Sequence, residues 1–225
     1  MAELVWDQVT EKIYETGTDH GVIYPQNDDG TYGAGVAWNG LTGFTASPSG
    51  AEKTDLWADN IKYVTMRSAE DFGGTIESYM YPDAFKPCIG EAEVASGVNF
   101  GQQKRQGFGF VCRTNVGNDV KLNDFGYKLH ICYGCTAGVS ERAYTTINDS
   151  PEAITFSHEF TTTPVPITKT GYTDMKPVSY ITIDSTKFTT DGEKTKLKTL
   201  TDMLFGSANA DASLPSPDQI LDIFL

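Results

Sequence analysis

Of the four cysteines in this 225-residue chain, Cys88, Cys112, Cys132 and Cys135, only the last two have the C-x-x-C spacing that lets two thiolates grip one metal ion. His130 adds a third donor on the strand face of Cys132 by the period-two rule. The second close ligand pair of a structural zinc site is missing, so a zinc-binding β protein built on Cys132, Cys135 and His130 is the weaker reading. Four free, mostly buried thiols are expected instead. Thioredoxin-type chemistry fares worse, because that motif opens a helix whereas 126–133 alternates like a strand.

Other catalytic chemistry lacks a convergent set of groups. His20, His130 and His158 fall on different predicted elements, with no H-x-x-x-H or H-E-x-x-H pattern. His158 and Glu159 are neighbours on a strand and face opposite sides. There is no G-x-S-x-G or Walker loop, and Gly33-Ala34-Gly35 lacks the third glycine and the helix of a dinucleotide site. Acidic pairs such as Asp28-Asp29, Glu70-Asp71 and Glu91/Glu93 lack calcium-loop spacing and read as solvated surface. The expectation is a protein that is not an enzyme, with no cofactor and no metal.

Charge narrows the partners. Seventeen Lys+Arg against 30 Asp+Glu leave −13, which argues against clamping nucleic acid. Residues 1–60 hold 2 basic and 10 acidic groups, 61–150 hold 9 and 10, and 151–225 hold 6 and 10. No apolar run nears the ~20 residues of a membrane span. Met1 to Asp7 lacks the basic and apolar regions of a signal peptide, so a cytoplasmic origin and no membrane are expected.

The positioning elements are predominantly strands. Residues 12–16 and 21–24 could form a hairpin across Gly17-Thr18-Asp19-His20, and 34–46 reads as one strand with Val36, Trp38, Gly40 and Thr42 on one face. Residues 47–60 show no period yet carry Leu56-Trp57, and an irregular connection of that length is more often functional than accidental. Strands follow at 61–67, 72–81, 106–116, 126–137, 154–163 and 179–183, with at most a helical turn between Pro82 and Pro87. Leu197, Leu200, Met203 and Leu204 mark a helix over 193–205, capped by Gly206. Ser216, Pro217 and Gln219 open a short terminal helix. The division expected is an N-terminal arm or hairpin at 1–30, a β-sandwich flanked by an α-helix at 31–206, and a C-terminal arm at 207–225.

Several stretches resemble the major tail protein of long-tailed, non-contractile bacteriophages. They are Gly35-Val36-Ala37-Trp38-Asn39-Gly40-Leu41-Thr42, Ser47-Pro48-Ser49-Gly50-Ala51-Glu52, Leu56-Trp57-Ala58-Asp59-Asn60-Ile61-Lys62-Tyr63, Tyr79-Met80-Tyr81-Pro82-Asp83-Ala84-Phe85, Gly101-Gln102-Gln103 and Tyr144-Thr145-Thr146-Ile147-Asn148-Asp149-Ser150-Pro151-Glu152-Ala153. The resemblance implies a β-sandwich with a helix that assembles with itself into hexameric rings, stacked as a tube. Its lumen passes double-stranded DNA and the tape-measure protein without specific binding, and other tail proteins sit at its ends. The implied location is the virion tail, assembled in the bacterial cytoplasm. It further implies a continuous lumen barrel, with strands near 34–46, 61–68, 106–116 and 126–137 and with Trp38, Lys62, Arg113 and Lys128 as candidate lumen residues. Pro48, Leu56 and Trp57 of loop 47–60 become the inter-ring contact, and Trp6, Ile220, Leu221 and Phe224 the terminal-arm contacts. The alternatives are a carbohydrate-binding β-sandwich using Trp6, Trp38 or Trp57, and a related tail component such as a tail terminator.

Overall fold

The structure, a computed structural model, describes residues 4–147, 149–150 and 152–225. Met1–Glu3 of the start, and Asn148 and Pro151 of the last quoted stretch, lie outside the described residues. Along the chain come β1 (Ile13–Pro25), β2 (Val36–Trp38), β3 (Leu41–Ala46), β4 (Ser49–Gly50), β5 (Lys53–Ala58), β6 (Ile61–Arg67), β7 (Glu70–Asp71) and β8 (Gly73–Ser78). A 3-10 helix at Asp83–Ile89 precedes β9 (Ala92–Ala95), β10 (Val98–Phe100), β11 (Phe108–Asn118), β12 (Leu122–Ala137), β13 (Phe156–Thr162) and β14 (Tyr180–Asp184). Two helices, α1 (Asp191–Phe205) and α2 (Pro217–Phe224), end the chain.

The fold is mainly β. One antiparallel sheet runs in the order β2-β1-β11-β12-β13-β8-β3, with β14 also paired to β12. Its inner strands are buried on both faces, and the period of two sorts their side chains into two cores. Val22, Tyr24, Val111, Leu129, Ile131 and Tyr133 meet Leu197, Leu200 and Leu204 of α1, together with Leu214 and Ile220. On the opposite face Ile23, Phe108, Phe110, Cys112 and Cys132 meet Ile76 of β8 and Phe160 of β13. The Phe44 ring of β3 lies 5.7 Å from Phe110 and 5.9 Å from His130. The β13-β8-β3 end of the sheet therefore turns back over β11 and β12 as a second layer. The result is the expected sandwich with a helix on one side, each buried Leu, Ile or Phe contributing ~1.5–3 kcal/mol.

Both helices are closed by capping boxes. Thr190 Oγ1 accepts from Glu193 N, and Glu193 Oε2 accepts from Thr190 N at 2.9 Å, so α1 starts two residues before the predicted Glu193. Ser216 and Gln219 do the same for α2, as the sequence predicts.

Four expectations are corrected. The hairpin over 12–24 is a single strand, because β11 offers one continuous partner from Asn118 to Phe108. Gly17 and His20, at φ 65° and 51°, absorb register shifts instead of a reversal. Within the segment 1–30, Ile13–Pro25 is thus no separate arm, since β1 lies inside the sheet between β2 and β11. The strand expected over 34–46 breaks at Asn39-Gly40, where φ of Gly40 is 73°, so that β2 pairs with β1 and β3 with β8. Segment 207–225 is no free arm either. Leu214 and Ile220 are buried in the subunit's own core, Leu221 and Phe224 are half-buried, and the Phe224 ring lies 5.2 Å from Phe188.

Candidate assembly surface

The β3–β8 pair does not end with the sheet. Ser47 N donates to Gly73 O at 2.8 Å, Ser49 pairs with Asp71, Ala51 N donates to Ala69 O at 3.0 Å and Ser68 N donates to Glu52 O at 3.1 Å. Beyond them Lys53 to Ala58 pairs with Arg67 to Ile61. Residues 47–73 are thus one ribbon that continues the edge of the sheet outward, kinked at Gly50 and Ala51, where φ is 81° and 53°. At the usual strand rise its outgoing side, 47–58, reaches at most about 40 Å.

Asp59 and Asn60, at φ 52° and 63°, close the ribbon with the left-handed conformations of a type I′ turn. Near its tip, Asp55 binds Lys62 at 2.8 Å and accepts from Thr65 Oγ1 at 2.7 Å. Lys62 is the main influence holding the Asp55 carboxyl below the usual range. The rest of the tip is apolar and uncovered. Leu56 is opposite Val64, and Trp57, Ile61, Tyr63 and Met66 are exposed, Trp57 at 69% and Tyr63 at 73%. β5 and β6 pair only with each other, and an isolated two-stranded ribbon is marginally stable in water.

At the root of this arm, the layer β13-β8-β3 turns one face outward. Its cross-strand rows are Thr45–Thr75–Glu159 and Gly43–Glu77–Ser157, with Thr161 beside Gly73. A Cβ on Gly43 would stand 2.9 Å from Glu77 Oε2, so the glycine leaves room for that carboxylate to lie across the strand. No lysine or arginine occurs in any of the three strands.

No family model matches the chain, and no curated protein matches it.

The predicted lumen residues do not come together. Trp38 is in the core, 4.6 Å from the Phe85 ring, and its Nε1 donates to Met80 O at 2.9 Å. Lys62 is on the arm. Arg113 and Lys128 sit on opposite faces of the β11–β12 pair, because Arg113 faces Leu129 while Lys128 shares the face of Cys132. Each is also paired within the subunit. Arg113 makes a two-point bond to Asp19 at 2.8 Å and lies over the Tyr127 ring, and Lys128 binds Glu15 at 2.5 Å. Arg113 is the main cause holding the Asp19 carboxyl below its ordinary range. Burial raises Glu15, but hydrogen bonds from Lys128 and Thr114 outweigh it and the net shift is downward. The acids of 1–60 are likewise scattered, with Glu11 before one end of β1, Asp28 and Asp29 beyond the other, and Glu52, Asp55 and Asp59 on the arm. Pro48, Leu56 and Trp57 do share the arm, which corrects the structureless loop to a paired ribbon. Trp6 is 74% exposed, together with Leu4, Val5 and Val9.

The candidate ligands at Cys132 and Cys135 are committed elsewhere. His130 Nε2 lies 2.9 Å from Thr114 Oγ1 and its Nδ1 2.6 Å from Tyr180 Oη, tying β11, β12 and β14 together. All four thiols are free and buried, as predicted, and burial raises Cys88, Cys112 and Cys132. Among the described residues no group of three or more His, Cys, Asp or Glu is placed to hold a metal ion. Among them no helix is long and apolar enough to cross a membrane.

His158 is 2% exposed, ringed by Trp38, Tyr81, Phe85 and Phe156 at 5.0–6.4 Å. Its Nε2 finds no hydrogen-bond partner among the described residues. Burial, helped by Arg142, lowers its pKa from 6.5 to about 4. The unfolded chain therefore takes up this proton first as pH falls. The stability linked to His158 is complete above pH ~6.5 and is lost progressively down to about pH 4. The loss amounts to about 3 kcal/mol at 1.36 kcal/mol per unit. In urea titrations at pH 7 and pH 4, His158→Gln should lose correspondingly less stability than the native chain. An unchanged pH dependence would remove His158 as the cause.

The lack of a period in 47–60 hides the ribbon partners of Leu56 and Trp57. A signal was present in Asp59-Asn60, flanked by apolar residues on both sides, which is the composition of a hairpin turn.

Proposed function

We propose that this chain is a non-enzymatic, self-assembling structural subunit, the tail-tube protein of a long-tailed, non-contractile phage. One observation carries the reading: the sheet edge extends into a long paired arm whose apolar tip has no cover on its own subunit. Tyr and Trp in such positions are the anchors that dominate protein association. Burying the arm on another copy supplies the third layer that a two-stranded ribbon lacks.

The outward face of β13-β8-β3 supports the conduit. Its threonines, serine and glycines offer no cation to a phosphate backbone, and Glu77 and Glu159 repel one, so DNA slides past it. This face replaces the strands with Arg113 and Lys128 as the candidate lumen lining. The carbohydrate reading loses Trp38 to the core, and Trp57 stands opposite Lys62 on the arm.

Negative-stain electron microscopy of the concentrated protein tests the proposal. Hollow tubes of uniform diameter, built from stacked rings, are expected. A chain that stays monomeric by sedimentation at the highest attainable concentration overturns it.

A further inference from the structure

The end of the β3–β8 pair away from the arm carries a second group of exposed apolar residues, taken together here as a patch. Where β3 begins and β8 ends, Tyr79 and Met80 are 50% and 64% exposed, and Tyr144 is 70% exposed. Tyr144 interacts with Arg142, whose guanidinium lies over the Tyr81 ring at 5.4 Å and binds Glu91 at 2.7 Å. The patch is preformed. Tyr79 N donates to Gly40 O at 2.8 Å and Trp38 Nε1 donates to Met80 O at 2.9 Å, which fixes both backbones on the β2–β3 turn.

Arm and patch are thus the two ends of one pair of strands. From Leu41 to Ala46 roughly 20 Å of sheet separates the patch from the arm's base, and the arm runs away from it. The subunit's own arm leaves both its tip and this patch uncovered. A second copy, displaced along the strand direction, can cover them. We infer that Tyr79, Met80 and Tyr144 form the acceptor for the Leu56–Trp57 arm of another copy of this chain. The inference rests on the proposed self-assembly and adds its receiving surface.

The chemistry matches, since a methionine thioether and tyrosine rings are favourable neighbours for an inserted indole. The contact is also heterologous: each copy has one arm and one patch, so the contact passes from copy to copy. An arm-to-arm contact would instead close a pair and stop.

Cysteine cross-linking decides between them. Leu56→Cys and Met80→Cys are introduced together and singly, and the assembled protein is oxidised with oxidised glutathione. The native thiols are fully buried and give little background. The double variant should give a ladder of disulfide-linked multimers on a non-reducing gel, and each single variant a monomer. Cross-linked dimer from Leu56→Cys alone overturns the inference in favour of arm-to-arm pairing. Tubes without a ladder overturn the acceptor while leaving self-assembly standing. A native protein that forms no tubes overturns both. Met80→Glu is the independent check: it should abolish long tubes while leaving the melting temperature unchanged, and normal tubes from it count against the patch.

Discussion

With Leu56→Asp and Trp57→Asp combined, the subunit should fold as before and should fail to build the long tubes proposed for the native chain. Both side chains stand on the uncovered part of the arm, so neither supports a core. Exposed substitutions of this kind usually change stability by less than ~0.5 kcal/mol. Assembly is different. Losing a buried tryptophan anchor costs about 2 kcal/mol or more, and an apolar leucine about 1.5–3 kcal/mol. Together they weaken each contact by roughly 4 kcal/mol, which is about three orders of magnitude in the concentration needed to polymerise. The measurement is the critical concentration by pelleting, with thermal melting alongside. Leu56→Ser with Trp57→Ser, which adds no charge, should act in the same direction. Polymers of normal length at the native concentration would show that the arm's tip is not the contact.

How far this architecture was legible depended on whether an element is defined by itself or by its neighbour. The strand patterns near 106–116 and 126–137 place β11 to within two residues and most of β12, and the Ser216-Pro217-x-Gln219 cap places α2, because those signals are local. Gly17-Thr18-Asp19-His20 carries the composition of a turn. Whether such a cluster reverses the chain or absorbs register shifts depends on the length of the partner strand, which here is β11. Arg113 and Lys128 show the same limit. Each is a plausible cation on an inner strand, but their placement on opposite faces follows from the β11–β12 register, which neither strand's pattern reveals alone. Trp38 is buried because the sheet folds over it, a long-range event.

The charge follows the same logic. An acid-rich first sixty residues suggests a charged face, yet β1 carries its neighbours to opposite ends of the sheet, and Glu15, Asp19 and Asp55 neutralise lysines or an arginine within the subunit. The slippery surface proposed for the conduit is made instead by strands with few charges of either sign. Their two glutamates matter more than the bulk excess, because nothing cationic on those strands offsets them.

Removing residues 207–225 should prevent the monomer from folding, the reverse of what an assembly arm would do. Leu214 fits a slot left by a glycine: a Cβ on Gly109 would stand 2.2 Å from the Leu214 side chain. Ile220 closes the same core between α1 and the sheet. The segment also supplies the Pro215 carbonyl that accepts from Tyr133 Oη at 2.9 Å, and the Asp218 carboxylate that accepts from Thr168 N and Lys169 N at 3.0 and 3.2 Å. Losing Leu214 and Ile220 alone costs about 4–10 kcal/mol at ~2–5 kcal/mol for each large side chain. A domain holds only about 5–15 kcal/mol in total, so truncation consumes most or all of it before the stranded Tyr133 hydroxyl is considered. Ile220→Ala isolates one part of the loss and should cost about 2–5 kcal/mol in urea unfolding. A truncated chain that melts cooperatively at the native temperature, and fails only to assemble, would return this segment to the role of an arm docked on a neighbour.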